Sequence, residues 1–103
     1  VVLPHVAPEV EHVFHLYVVQ VQQRDELQKF LKTQGIATGV HYPIPLHQQP
    51  AYAHLGLRPG SFPVVERLAG RILSLPMFGE MTDLEVRFVA EKVLEFETST
   101  VKV

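Results

Sequence analysis

The sequence predicts a small α+β domain, a two-layer sandwich in which a sheet of about three strands carries helices mainly on one face. Three observations predict this class. The 103 residues fit one domain, strand-like and helix-like apolar periods alternate along the chain, and prolines and glycines separate these segments. Three short strands would leave edges and a sheet face open, so we expect a larger partner domain to cover them.

The first strand is predicted at residues 12–21 (HVFHLYVVQV), which carry apolar side chains toward both faces, as a central strand does. Residues 1–11 contain two prolines and no period, and we interpret them as a linker arm that enters the domain. Because the chain begins with valine, we expect it to be part of a longer protein. Residues 12–97 then form the predicted domain, and residues 98–103 a frayed tail.

The first helix is predicted at residues 24–35, where acidic residues occupy the first turn and Gly35 suits the position just after the helix end. Its apolar stripe at helical spacing consists of Leu27, Phe30 and Leu31. Residues 36–41 follow as a short second strand. Pro43, Pro45 and Pro50 then block regular strand pairing, since each proline lacks a backbone N–H.

The second half of the chain predicts a helix, a strand and a final helix. Ser61 is expected to cap the middle helix, with Pro63 in its first turn, and residues 71–78 form a strand that Pro76 stops. Thr82 and Glu85 fit a capping box that begins the last helix. The side chains expected to face the core from these two helices are Val64, Val65, Leu68, Val86, Val89, Val93 and Phe96, with Phe88, Ala90 and Leu94 broadening the apolar face.

Composition excludes several functions. The net charge is −2, so there is no basic surface to neutralise nucleic-acid phosphates. No apolar run has the length of a membrane span, and no signal-peptide pattern opens the chain. Cysteine is absent, which excludes disulfides and thiolate metal sites. We therefore expect a cytoplasmic protein without nucleic-acid or membrane partners.

Metal and nucleophile chemistry are not predicted either. Of the six histidines only His41 and His47 share one rigid segment, and no acidic residue lies between Gly35 and Gly60 to complete a zinc site. The serines lack a nucleophile-elbow context, and the glycines form no phosphate-binding loop. The sequence thus predicts no metal ligand and no catalytic residue in this chain.

The segment GIATGVHYPIPLHQQPAY, residues 35–52, is the candidate binding site. The candidate binding residues within it are His41, Tyr42 and His47, which stand among prolines that stiffen the backbone. Imidazole and phenol groups can bond hydroxyl and phosphate oxygens without a fixed charge, and rigid presentation lowers the entropic cost of binding. The alternative interpretation is that the three side chains only pack and shape a proline-rich loop.

The motifs GI-x-TGVHYP-x-PLH, FP-x-x-E and SLP-x-F stand in order between His12 and Phe96. In this combination the chain resembles the C-terminal small domain of nucleotide-sugar aminotransferases of the DegT/StrS group, which are fold-type I pyridoxal-phosphate enzymes. The resemblance implies a parent homodimer that transfers an amino group from an amino acid, with glutamate expected, to a nucleotide-linked keto-sugar.

The resemblance also divides the chemistry between domains. It implies that residues 1–11 are the linker arm from a large N-terminal domain. That domain would bind pyridoxal phosphate and supply the Schiff-base lysine, so the 103-residue fragment alone should be inactive. The lysines of this chain, none in that family's Ser-His-Lys context, are Lys29, Lys32, Lys92 and Lys102. The resemblance implies that His41, Tyr42 and His47 line the sugar-nucleotide pocket, while Phe62, Pro63 and Glu66 match the family pattern and are also explained as a helix start.

Two alternatives stay open at this point. The chain is either part of such an enzyme or a non-enzymatic α/β module that binds a protein through an open sheet face. Within the family, some relatives act on non-sugar ketones or regulate transcription, so the same fold is compatible with another role.

Overall fold

The computed structural model describes residues 1–101 and confirms the α+β class. The elements in chain order are β1 (Tyr17–Gln20), α1 (Arg24–Thr33), the 3-10 helices Leu46–Gln48 and Pro50–Leu55, α2 (Pro63–Ala69), β2 (Ile72–Leu75) and α3 (Asp83–Val101). The two strands pair antiparallel, with Tyr17 opposite Leu75 and Gln20 opposite Ile72. Within residues 1–101, no helix has both the length and the apolar character that crossing a membrane requires.

The predicted three-stranded sheet has two regular strands. Residues 36–41, expected to form another strand, make a single antiparallel bridge to β2 through Gly39 and Ser74. Both backbone groups of Gly39 bond those of Ser74, over 3.1 and 2.7 Å. The ladder ends there because the chain turns toward Pro43 and Pro45, which lack the N–H groups that pairing needs.

The first strand is shorter than predicted and lies between two partners. Phe14 has a φ of 47°, a left-handed conformation that interrupts the extended backbone, and residues 12–16 lie outside the strand. On the edge of β1 opposite β2, Val2 and Gln20 exchange two backbone hydrogen bonds of 2.9 Å. The arm at residues 1–11 therefore contacts the sheet, and β1 is central to the small sheet as its two apolar faces predicted.

The core lies where the sheet meets α1 and α3. Its buried side chains come from the strands, both helices and the connection after α1: Val19, Val21, Leu27, Leu31, Ile36, Leu73, Val89, Val93 and Phe96. Gly35, at a φ of 78°, closes α1 in the left-handed conformation that glycine adopts without steric cost. This allows Ile36 to turn back into the core.

The middle helix differs from its prediction. Val64 and Val65 are exposed, and Ala69 is the buried residue of α2. The cap position is Phe62, and the hydroxyl of Ser61 donates to the carbonyl of Arg58. Because α2 has only seven residues, its last turn alone reaches the core. Its outer face is left as apolar surface.

The last helix begins as predicted and ends later. The backbone N–H of Thr82 donates to Glu85 over 2.8 Å, and that of Glu85 donates to the Thr82 hydroxyl over 3.2 Å, which is the predicted capping box. The frayed tail predicted at residues 98–103 is wrong for residues 98–101, which are helical; residues 102–103 lie outside the described residues. The hydroxyls at positions 98, 99 and 100 donate to carbonyls of the preceding turn, so polar side chains are accommodated without ending the helix.

Much of the predicted apolar face of α3 is solvent-exposed. Val89, Val93 and Phe96 are buried, whereas the apolar residues exposed along the helix are Leu84, Val86, Phe88 and Leu94. Beside the helix, a groove of about 620 Å³ runs between β1 and α3 and is lined largely by apolar side chains, among them Leu3, Met81 and Leu94. Contiguous apolar surface of this kind is typical of a face that another polypeptide covers.

Replacing Thr82 with alanine is expected to lower the free energy of unfolding by about 1 kcal/mol, because the N–H of Glu85 loses its acceptor at the start of α3. Urea denaturation followed by circular dichroism measures the change. Thr100→Ala, in the last turn of the same helix, is the matched control and should change stability by less than about 0.5 kcal/mol. Equal losses in the two variants would show that the capping box contributes nothing specific.

Candidate functional site

The imidazole of His41 lies over the backbone of Gly39 and reaches β2. Its Nδ1 is 2.8 Å from the hydroxyl oxygen of Ser74. Gly39 and Ser74 are directly opposite in the bridge, so their side-chain positions share one face of the sheet. The ring of His41 therefore occupies the space that a side chain at position 39 would fill.

Glycine is required at position 39 by this packing. A Cβ there would lie 2.7 Å from Cε1 of His41, closer than real Cβ contacts. An alanine would push the ring away from its place beside Ser74. The close approach of the His41 imidazole thus explains why glycine stands at position 39 of the TGVHYP motif.

Tyr42 extends the edge that His41 begins. The two rings meet edge to face with centroids 5.4 Å apart. Tyr42 is 71% exposed, so its phenol group is open to a ligand or to another polypeptide. The polar edge formed by His41 and Tyr42 can accept and donate hydrogen bonds and carries no carboxylate.

His47 has a different environment. Its side chain is 8% exposed, and its Nε2 lies 3.1 Å from Oε1 of Glu66. The ring of Phe62 packs against it, with centroids 4.8 Å apart. One nitrogen of His47 is therefore engaged within the domain, in contrast to the more open His41.

Glu66 joins two loops to the first turn of α2. Besides His47, its carboxylate accepts from the amide of Gln48 over 2.9 Å and from the backbone N–H of Gly60 over 2.9 and 3.0 Å. The hydrogen bond from His47, followed by that from Gly60, lowers the pKa of Glu66 below its ordinary 4.5. The anion fixes the proline-rich segment at the 3-10 helix that contains His47.

The lowered pKa makes a prediction about acid stability. Because the folded pKa of Glu66 is below its unfolded value, the stability that the anion contributes is fully present above pH 4.5 and is lost as pH falls through the folded value. Glu66→Gln should therefore lower the urea midpoint at pH 7, and the difference from the wild type should shrink below pH 4.5. Glu91→Gln, which makes the same chemical change at an exposed position of α3, is the control and should show no such convergence. A difference that is constant with pH would contradict the role of the charge.

The structure brings His41 and Tyr42 into contact and joins His47 to Glu66. Sequence reasoning missed Ser74 and treated Glu66 as a helix-start residue. The spacing of FP-x-x-E contained a signal for Glu66, because a carboxylate in the first turn of a helix can reach back to loops at its N-terminal end. Ser74 is the first residue of the SLP-x-F motif, but its contact with His41 depends on pairing with a segment 35 positions earlier, which the motif does not reveal.

The described lysines do not fit a bound pyridoxal phosphate. Lys29 and Lys32 are exposed on α1, and the Lys92 ammonium lies 2.7 Å from a carboxylate oxygen of Glu95. A cofactor-binding lysine is instead a desolvated amine with a lowered pKa. In residues 1–101, no group of three or more His, Asp or Glu side chains is arranged to hold a metal ion.

The sequence matches the DegT/DnrJ/EryC1/StrS aminotransferase family model over residues 1–94, and the chain belongs to this family. A pleiotropic regulatory protein of Geobacillus stearothermophilus is 53% identical over 85 residues, which are 82% of this chain and 23% of the relative. A dTDP-3-amino-3,4,6-trideoxy-alpha-D-glucose transaminase of Micromonospora megalomicea subsp. nigra is 47% identical over 98 residues, 93% of this chain and 26% of the relative.

Solved structures agree with the family assignment. The chain superposes on S. venezuelae DesV with a TM-score of 0.88 and 39% identity, covering 92% of this chain and 26% of that one. Spr1654 from Streptococcus pneumoniae, in its PLP form, gives a TM-score of 0.65 and 30% identity over 75% of this chain and 21% of that one. The predicted family is confirmed, and the chain spans about a quarter of the length of these relatives.

Proposed function

We propose that the chain is the C-terminal small domain of a pyridoxal-phosphate aminotransferase that acts on a nucleotide-linked keto-sugar, with glutamate as the expected donor. The observation that carries the proposal is the open polar edge of His41 and Tyr42 on a fold of this family. The transaminase named for the Micromonospora relative supports the substrate class.

In this proposal the chain's residues bind and orient substrate. His41 and Tyr42 bond oxygens of the sugar nucleotide, and His47, engaged by Glu66, holds the segment that follows them. His47 also lines the proposed pocket. Its Nε2 contacts Glu66, so Nδ1 is the ring nitrogen that would bond the ligand. Fixed donors of this kind lower the entropic cost of binding. No step of proton transfer is assigned to the chain.

The cofactor and its lysine belong to a large N-terminal domain in this proposal. When bound, pyridoxal phosphate supplies the electron sink for amino transfer. The described lysines lack the surroundings of an activated amine, which supports this division. The exposed apolar residues of α3 support a covering partner, which we assign to the large domain and to a second subunit of a homodimer.

Borohydride reduction of the whole protein that contains this chain tests the division. Reduction fixes pyridoxal phosphate covalently on the lysine that holds it, and peptide mass spectrometry locates the label. We expect the stoichiometric label outside the 103 residues. A single label on Lys29, Lys32, Lys92 or Lys102 would overturn the proposal.

A second candidate role is regulation. The relative from Geobacillus stearothermophilus is named a pleiotropic regulatory protein, and EryC1 of Saccharopolyspora erythraea, 51% identical over 77 residues, is named a sensory transduction protein. Amino transfer to a nucleotide-linked keto-sugar by the purified protein distinguishes the two roles. A protein that binds pyridoxal phosphate and shows no transfer would favour the regulatory role.

A further inference from the structure

We propose that Ser74 is a positioning residue that holds His41 in the neutral tautomer protonated at Nε2, so that this edge presents an N–H donor to an acceptor oxygen of the ligand. The part of the inference that concerns the ligand rests on the proposed function. The part that concerns the tautomer rests on the structure of β2 and residues 39–41.

The hydroxyl of Ser74 decides the tautomer. Ser74 is 5% exposed, and a buried hydroxyl proton needs an acceptor. Within residues 1–101, the hydrogen-bond partner of its Oγ is Nδ1 of His41, 2.8 Å away. If Nδ1 carried the ring proton, it would donate to Oγ and leave the hydroxyl proton without an acceptor. The arrangement that satisfies both groups has the hydroxyl donating to Nδ1, which places the ring proton on Nε2.

The backbone holds this pair in place. Gly39 and Ser74 exchange two backbone hydrogen bonds, and the ring of His41 fills the space over Gly39. The imidazole therefore packs directly against Gly39, which has no side chain to displace it, and its Nδ1 bonds the Ser74 hydroxyl. In the described part of the chain, Nε2 has no hydrogen-bond partner, and His41 as a residue is exposed.

A fixed N–H donor selects the chemistry of its partner. It bonds a carbonyl, hydroxyl or phosphate oxygen, and it opposes an ammonium or amide N–H at the same point. The nucleotide sugar carries many acceptor oxygens. The amino group that is transferred to or from the sugar cannot accept a hydrogen bond when it is protonated. His41 is thus expected to orient the sugar nucleotide by bonding an oxygen of the ligand and not the ligand's amino nitrogen.

The tautomer is tested by nitrogen NMR on the whole protein with ¹⁵N-labelled histidine, with the His41 signal assigned from its loss in His41→Ala. We expect the wild-type spectrum at neutral pH to show Nδ1 unprotonated and Nε2 protonated. Ser74→Ala should move the two nitrogen shifts toward the average of exchanging tautomers. A spectrum with the proton on Nδ1, or one that Ser74→Ala leaves unchanged, would overturn the inference. This measurement needs no substrate and does not depend on the proposed function.

The positioning role is tested by a double-mutant cycle on KM. The probe is reverse transamination of dTDP-3-amino-3,4,6-trideoxy-α-D-glucose with 2-oxoglutarate. We expect Ser74→Ala to raise KM for the sugar about 2- to 5-fold with kcat nearly unchanged, and to add nothing in the His41→Ala background. Gly39→Ala, which displaces the ring, should reproduce the Ser74→Ala result. Ser99→Ala, near the end of α3, is the control without an effect.

The outcomes separate the two claims. If His41→Ala raises KM and Ser74→Ala does not, or if the two effects multiply, the positioning role of Ser74 is wrong while the binding role of His41 stands. If His41→Ala leaves KM unchanged, the binding role in the proposed function is wrong, and the ligand part of this inference is wrong with it.

Discussion

Replacing Leu73 with alanine is expected to lower the free energy of unfolding by about 2–5 kcal/mol. Leu73 has no exposed surface, lies in β2 opposite Val19 and packs in the core shared by the sheet, α1 and α3. The loss combines the transfer free energy of the removed atoms with the cavity that they leave. Since the free energy of unfolding of such domains is about 5–15 kcal/mol, the substitution removes a large part of the stability. Urea denaturation monitored by circular dichroism measures it.

Leu84→Ala is the matched control, because it makes the same chemical change on α3 at a residue that is 80% exposed. Its effect on the free energy of unfolding should stay within about 0.5 kcal/mol. If the two variants lost similar stability in this chain, Leu73 would not belong to the stabilising core, and the packing of β2 against the helices would be wrong.

The double variant His41→Ala with Tyr42→Phe is expected to raise KM for the nucleotide sugar about 10- to 100-fold, with a much smaller change in kcat. Each substitution removes one hydrogen-bonding group, and a net hydrogen bond contributes about 0.5–1.5 kcal/mol to binding. Because the interaction is made equally in the ground and transition states, the loss appears in KM. Steady-state kinetics on the whole protein measures both constants.

The control for this variant is Tyr52→Phe combined with His54→Ala. Both residues are exposed in the second 3-10 helix, and the pair repeats the chemical change a short distance along the chain. We expect the KM of the control to stay within about 2-fold of the wild type. A similar KM for the test and control variants would return His41 and Tyr42 to a structural role.

Local patterns predicted the helices well and the sheet less well. The capping box of α3 and the glycine after α1 are defined by neighbours in sequence, and both occur as predicted. The extent of pairing along residues 36–41 depends on contacts with distant β2, and periodicity cannot measure it. The burial of Val64 and Val65 was also misjudged, because apolar spacing indicates a face but not what covers it.

The candidate site was predicted as a set of residue types and not as an arrangement. The proline-rich segment indicated His41, Tyr42 and His47 through their chemistry and rigid surroundings. Their partners Glu66 and Ser74 stand in the FP-x-x-E and SLP-x-F motifs, but the contacts that join them to the histidines span 19 and 33 positions, and motif spacing does not reveal such tertiary contacts. Those partners distinguish the two histidines, since one is engaged by a carboxylate and the other by a buried hydroxyl.

A crystal structure of the whole protein with a nucleotide sugar bound tests the central claim most directly. We expect an oxygen of the ligand to lie within about 3.2 Å of Nε2 of His41 or of the Tyr42 hydroxyl, with both residues at the wall of the pocket. A nucleotide sugar seated at the cofactor with neither group within hydrogen-bonding reach would contradict it.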